Sequence, residues 1–252
     1  MLRLVLAALC AAVAVPAQAQ INTEQLRKST EDGVHVQLDA NGGFARGNTD
    51  LLQLGLGVRL DASLGEDSGF ALARYTLSEV DGVTDVSNAF AHVRYNNEIV
   101  PDLIAEAFAQ VERNEQQLLA RRYLLGVGFR YELIETEPLG FALGTTPMVE
   151  FERLRPEAME DPTQSLRWSN YAALRVDVSD TAEAFGVIYV QPRVEEVDNY
   201  RILHESRLDV DITKYFAVRV RGMVRYDSQP PVNVENTDVM VTTGFVFNSL
   251  GN

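Results

Sequence analysis

Apolar and polar side chains alternate with period two through about twelve segments of this chain, and no run of it is long and apolar enough for a transmembrane helix. Period two sends successive side chains to opposite faces of a strand, so each segment carries one apolar and one polar face. Strands are predicted near 34–46, 51–63, 69–79, 86–96, 103–113, 121–134, 140–153, 165–178, 183–194, 201–213, 216–227 and 237–248. The phase is plainest where Leu52, Leu54, Leu56, Val58 and Leu60 alternate with Gln53, Gly55, Gly57, Arg59 and Asp61. It is equally plain where Tyr123, Leu125, Val127, Phe129, Tyr131 and Leu133 alternate with Leu124, Gly126, Gly128, Arg130 and Glu132. Each strand with its connection takes about 18 residues, which suits roughly 10 residues crossing a bilayer at a tilt plus a turn.

A soluble barrel or sandwich alternates as well, with its apolar face turned inward. Three features favour a membrane barrel, in which the apolar face meets lipid and the polar face lines the lumen. Aromatics sit at segment ends (Tyr95, Tyr123, Tyr131, Tyr215, Phe216, Tyr226 and Phe247), where interfacial girdles belong. The polar faces mix glycine with charge, as a crowded lumen requires. Odd-numbered connections are mostly long (79–86, 114–120, 154–164, 228–236) and even-numbered ones such as 65–68, 179–182 and 214–215 mostly short. Long extracellular loops and short periplasmic turns are the outer-membrane arrangement. The fold class is therefore all-β: a transmembrane antiparallel up-and-down barrel of about 12 strands, with ten or fourteen as alternatives because 34–46 and 183–194 have the weakest phase.

Export is consistent with the N-terminus. Arg3 supplies a positive start, Leu4 to Val15 an apolar run too short to span a bilayer, and Ala17-Gln18-Ala19 a small-x-small cleavage pattern. The organisation read from this is a signal peptide over 1–19, a periplasmic lead-in over 20–32, a barrel over 33–248 and a short tail over 249–252. Cys10 lies in the signal and is the only cysteine, so a mature chain has no disulfide to rely on. Cleavage removes Arg3 and no acid, moving the net charge from −14 to −15. Such acidity argues against nucleic acid, whose phosphates call for basic patches. Only Lys28 and Lys214 are lysines among 22 basic residues. Arginine binds carboxylates bidentately in poorly hydrated sites, which suits paired charges inside a barrel.

Three separated motifs carry a family resemblance. Gly47-Asn48-Thr49-Asp50 precedes an alternating strand; Arg122-Tyr123-Leu124-Leu125-Gly126-Val127-Gly128-Phe129-Arg130-Tyr131 runs on to Ile134-Glu135-Thr136-Glu137; Arg225-Tyr226-Asp227-Ser228 precedes Pro230-Pro231 and Thr237-Asp238. In this order they resemble the YdiY-like salt-induced outer-membrane proteins, a domain of unknown function, over most of 42–248. The resemblance implies a barrel and a link to salt or osmotic stress, and brings no catalytic residues. Such barrels often end on an aromatic, whereas here Asn248-Ser249-Leu250-Gly251-Asn252 follows Phe247.

By phase, the candidate lumen-lining residues are Arg59, Asp61, Arg74, Arg94, Glu106, Glu112, Arg130, Glu132, Arg175, Asp177, Glu205, Asp209, Asp211, Arg219, Arg221 and Arg225, joined by Asp39, Glu150, Arg193 and Asp227. They imply either a salt-bridged lumen that holds the barrel together or a narrow charge-lined conduit, since rings of charge bias which ions pass. An outer-membrane lipid hydrolase or lipid A-modifying enzyme is the rival. His204 and Ser206 share the lipid face but lack a neighbouring catalytic motif, while Ser87 is out of phase with His92. Three scattered histidines and no mature cysteine give no transition-metal site, and no cofactor is implied. The acidic loop residues Glu157, Glu160, Asp161, Glu195, Glu196 and Asp198 could recruit Ca²⁺ or Mg²⁺ that bridges lipopolysaccharide phosphates. The expected partners are outer-membrane lipid, lipopolysaccharide and the barrel-assembly machinery. The chain should therefore fractionate with the outer membrane and migrate faster on a gel when unheated than when boiled. A protein found soluble in the periplasm would overturn the membrane reading.

Overall fold

In lipid no water satisfies a free backbone group, so a sheet that crosses a membrane must close on itself. The computed structural model does this with twelve antiparallel strands in sequence order, the first paired to the last. It describes residues 32–45, 51–80, 83–232 and 234–248. The strands are β1 (Gly33–Ala45), β2 (Leu51–Leu64), β3 (Asp67–Val80), β4 (Val83–Val100), β5 (Leu103–Asn114), β6 (Leu119–Glu135), β7 (Leu139–Leu154), β8 (Thr163–Ser179), β9 (Ala182–Pro192), β10 (Tyr200–Thr213), β11 (Phe216–Asp227) and β12 (Thr237–Asn248). The signal, the lead-in up to residue 31, the tail and Gly47 to Asp50 lie outside the described residues.

One connection departs from the loop pattern read in the sequence. Residues 79–80 and 83–86, expected in a loop, are strand: β3 and β4 stay paired to Val80↔Val83, past a register shift at Ser78/Glu79. Valines at 80, 83 and 86 let the hairpin run on, since β-branched residues favour extended backbone. The remaining long connections hold, and the one between β7 and β8 carries a single 3₁₀ turn, Pro156–Ala158. The even-numbered connections, all short, fall at one end of the barrel, together with the start of β1 and the end of β12.

The apolar phase faces outward all round the wall. Leu56, Val127, Phe129, Val220 and Val241 are exposed in the barrel's outer band, while their neighbours Gly55, Gly126, Gly128, Arg130 and Arg219 are buried inside or line the lumen. Outward aromatics gather near both rims: Tyr95, Tyr131 and the stacked Phe216–Phe245 pair towards the short turns, Tyr123, Phe151 and the Tyr200–Tyr226 pair towards the loops. This is the girdle geometry of a membrane barrel.

The interior is not wholly polar, as alternation alone predicts. Phe70, Leu72 and Phe90 cluster on one wall, and Tyr171, Phe185, Val187, Tyr189, Leu203, Met223 and Met240 on the other. Two lumenal glycines make room for rings from next-door strands. A Cβ at Gly144 would land on the Tyr171 ring, and one at Gly126 would meet Phe108. Val127→Arg, at an outward position 68% exposed to the lipid side, should cost about 2–4 kcal/mol of folding stability in vesicles. Arginine at Gly126, one residue away, would instead clash within the lumen. Equilibrium unfolding in urea checks the first value.

Candidate functional site: a charge-paired lumen

Inward-facing arginines and carboxylates from non-adjacent strands meet inside the barrel, because curvature brings together side chains that the flat ladder keeps apart. Towards the loop end, Glu150 on β7 is only 2% exposed. It accepts from Arg201 Nη1 on β10 at 2.6 Å and Arg167 Nε on β8 at 3.0 Å, and lies 3.5 Å from Arg122 Nε on β6. Arg122 also reaches Glu152 at 2.5 Å and Glu112 at 3.5 Å, and Arg201 reaches Glu152 at 3.1 Å and Asp227 at 2.8 Å. Arg225 lies 3.8 Å from Asp238, which also accepts from Gln117 of the β5–β6 loop at 3.3 Å.

A second set occupies the half nearer the short turns. Arg219 donates to both carboxylate oxygens of Asp209, at 2.6 and 2.7 Å, and to Asp39 on β1 at 3.0 Å. Arg207 pairs with Glu183 at 2.8 Å and Asp209 at 3.3 Å, and Arg221 with Glu205 at 3.1 Å. Arg59–Asp61, Arg130–Glu132 and Arg175–Asp177 are pairs two residues apart on one face of one strand. Arg74 lies with Asp39 against the lumenal side of Gly57.

Between the two sets side chains meet across the lumen. Tyr171 donates to Glu106 at 2.5 Å, and Glu106 also meets Arg94 at 3.4 Å, so β4, β5 and β8 are tied across the interior. His92 is stacked among Phe70, Phe90 and Phe108, with Nδ1 3.2 Å from Gln110 Oε1. The cavity left among His92, Arg94, Tyr171 and Tyr189 measures about 20 Å³, room for one or two waters. A second, of about 40 Å³, lies beneath Pro230 and Pro231 of the β11–β12 loop.

Fifteen of the sixteen sequence-derived candidates point into these sets or onto their walls, but Asp211 does not. It is exposed beyond Asp209 at the short-turn rim, where the β10–β11 register shifts and its N–H bonds Thr181. Arg193 is also peripheral, held weakly by Glu195 and Glu196 at 3.8 and 3.9 Å in the β9–β10 loop. Four interior arginines are missing from the candidates: Arg122, Arg167, Arg201 and Arg207. Phase was the available signal for them, and the polar faces that include Arg167 and Arg207 already showed it. On β10 the apolar Leu203 inside and His204 outside blur that signal around Arg201.

The serine and histidine weighed in the sequence on β4 do not meet. Ser87 shares the outer face with Tyr75, at 3.3 Å, while His92 points into the lumen. His204 is exposed on the outer face. No group of three or more metal-ligating side chains occurs among the described residues.

A closed twelve-stranded wall with an apolar outside, two aromatic rims and a charged inside defines an outer-membrane β-barrel of porin-like fold. Residues 38–248 match a family described as proteins of unknown function, DUF481, and the chain belongs to it. Comparison with curated sequences finds no match. Among solved structures, the NanC porin is similar in fold, with a TM-score of 0.53 at 8% identity over 86% of this chain and all of that one. A KdgM porin in complex with disordered oligogalacturonate gives a TM-score of 0.48 at 10% identity, covering 86% of this chain and 99% of that one. The translocator domain of the autotransporter NalP from Neisseria meningitidis gives 0.45 at 11% identity, covering 88% and 90%.

Removing one partner from a buried ion pair strands the other charge, at about 3–5 kcal/mol. Glu150→Gln should therefore lower the unfolding temperature of the refolded barrel sharply, since three arginines lose their shared carboxylate. Arg193→Ala, in a half-exposed loop pair, should cost at most about 1 kcal/mol. Thermal unfolding followed by loss of heat-modifiable migration compares the two.

Proposed function

We propose that this protein is a non-enzymatic outer-membrane barrel whose lumen is a narrow, charge-lined conduit for small ions. The observation that carries the reading is the pair of charged sets on either side of the waist where Tyr171 bridges the interior to Glu106. Charge at both mouths draws ions in, and a constriction walled by Tyr171, Phe108 and Leu124 limits what passes. The porin-like fold supports a pore role. Residues 1–19 would direct export to the Gram-negative envelope, and insertion would use the barrel-assembly machinery. The resemblance to YdiY-like proteins supports service under salt or osmotic stress, when the ion balance across the envelope shifts.

The same interior supports a second reading, a structural barrel held rigid by its internal pairs. The specific observation for it is Glu150, whose three arginine neighbours come from β6, β8 and β10. Lipid hydrolysis finds no support, because Ser87 and His92 sit on opposite faces of β4.

Planar-bilayer recordings separate these readings. Interior carboxylates and arginines are close to balance and lean acidic, so the wild type should give small steps with weak cation preference that fades as salt screens the charges. Tyr171→Ala removes the cross-lumen bridge and should enlarge the steps. Silence from both proteins would establish the structural reading, and large anion-selective steps would overturn both. Esterase activity in the pure refolded protein, lost in His92→Ala, would restore the enzyme reading.

A further inference from the structure

The outer wall, unlike the lumen, is almost bare of charge. Across the outward-facing positions of the twelve strands, the only arginines or lysines among the described residues are Arg113, Arg121 and Arg153. They occupy three adjacent strands, β5, β6 and β7, at the loop end. Arg121 and Arg153 are directly opposed in register, a like-charge pairing that destabilises a sheet. Neither makes an ion pair among the described residues. Arg113 adjoins them at the bulge where Glu112↔Arg122 gives way to Asn114↔Leu119. Its one carboxylate partner is Glu115, at 2.7 Å, and Arg155 uses the same carboxylate.

One step towards the membrane centre, the outward row turns apolar: Val111 pairs with Tyr123, and Tyr123 with Phe151. On β4 the outward residues beside this row are Ala89 and Ala91, so the wall is recessed there. The recess has a volume of about 480 Å³ and runs from those alanines past Val111 and Tyr123 to Arg113, Arg121 and Arg155. Its upper edge is cationic and its floor is greasy, although the chain as a whole carries a net charge of −14.

We infer that this recess on β4–β6, with the arginine row that continues onto β7 beside it, is a docking site for lipid A, the phosphorylated glycolipid of the outer leaflet. The guanidinium groups of Arg113 and Arg121 at its edge, and of Arg153 opposite Arg121 on the next strand, would hold its phosphates, and an acyl chain would lie along Ala89, Ala91 and Tyr123. The inference rests on the outer-membrane placement, with the long loops outward, and not on conduction. A phosphate between Arg121 and Arg153 replaces their repulsion with two charge-assisted hydrogen-bonded contacts, and arginine matches phosphate geometry bidentately. The same site needs no metal bridge, because the cations are already in the wall. Lipid A fits better than a soluble anion because the arginine row stands directly over apolar surface at the aromatic girdle, where a lipid headgroup meets its chains.

The test uses full-length refolded protein in detergent, titrated with bisphosphorylated lipid A and read by native mass spectrometry. The triple variant Arg113→Gln, Arg121→Gln and Arg153→Gln should bind at least about tenfold more weakly than wild type. Lipid A stripped of both phosphates should bind wild type as weakly as the variant binds intact lipid A. Arg193→Gln, a loop arginine away from the recess, should bind as wild type does. In detergent alone the triple variant should melt no lower than wild type, because it loses a repulsive pair; added lipid A should raise the melting temperature of wild type only. The single variant Arg121→Gln, which keeps two of the three arginines, repeats the comparison should the triple variant fold poorly. Equal binding by wild type and variant, or indifference to the phosphates, would overturn the proposal. So would inorganic phosphate competing at the same concentration as lipid A, which would mark a soluble-anion site. If the protein proved soluble in the periplasm, the membrane placement itself would fall, a result read from fractionation and independent of these titrations.

Discussion

Closure of the sheet is the condition on which everything else in this barrel depends. Inside a hydrocarbon layer an unpaired N–H or C=O costs several kcal/mol, so a spanning sheet cannot end in an open edge. Pairing β1 with β12 removes both edges at once. It also divides the side chains into two populations with different solvents. One set meets lipid and is held to apolar residues, as Leu56, Val127 and Val241 show. The other meets only the far wall of the barrel, where a charge is tolerated if an opposite charge can reach it. The bidentate reach of arginine, and the near absence of lysine, follow from that second requirement.

The twelve strands were legible because period two is a local property. A short stretch such as Leu52 to Leu60 is enough to display it. How far β3 and β4 run was not legible, because Asp81-Gly82 suits a long loop as well as a short connection, and only the pairing as far as Val80↔Val83 decides the strand lengths. Within the lumen, phase identifies which charges point inward, but not their partners. That Arg201 meets Glu150 depends on the curvature that carries β10 over to β7, and nothing near either residue in sequence reports it. Met148 and Leu203 were not legible for a related reason: they are apolar residues on a polar face, filling space that only the closed shape defines.

The interior combines two kinds of packing that rarely share one small space. Rings stand against glycines, as Tyr171 does over Gly144, while the charged sets sit above and below. The aromatic contacts are short-ranged and fix distances; the ion pairs act further and fix which strands face one another. Tyr171 joins the two systems through its hydroxyl on Glu106, so a change in ring packing is also a change in the charge network. This coupling gives the constriction its definition, and it makes the width of the lumen a property of many side chains together.

Among the described residues, the seam between the first and last strands registers Gln37↔Asn248 through Ala40↔Phe245. Neighbouring β2 and β3 register from Leu51↔Val80 to Leu64↔Asp67. Arg219 on β11 reaches over β12 to Asp39 on β1 and so clasps the seam from within. Until β1 and β12 meet, Arg219 keeps only Asp209 on the neighbouring strand, and Asp39 lacks this arginine. Closing the wall therefore adds an ion pair to the interior, so one arginine inside the barrel registers whether the sheet is shut.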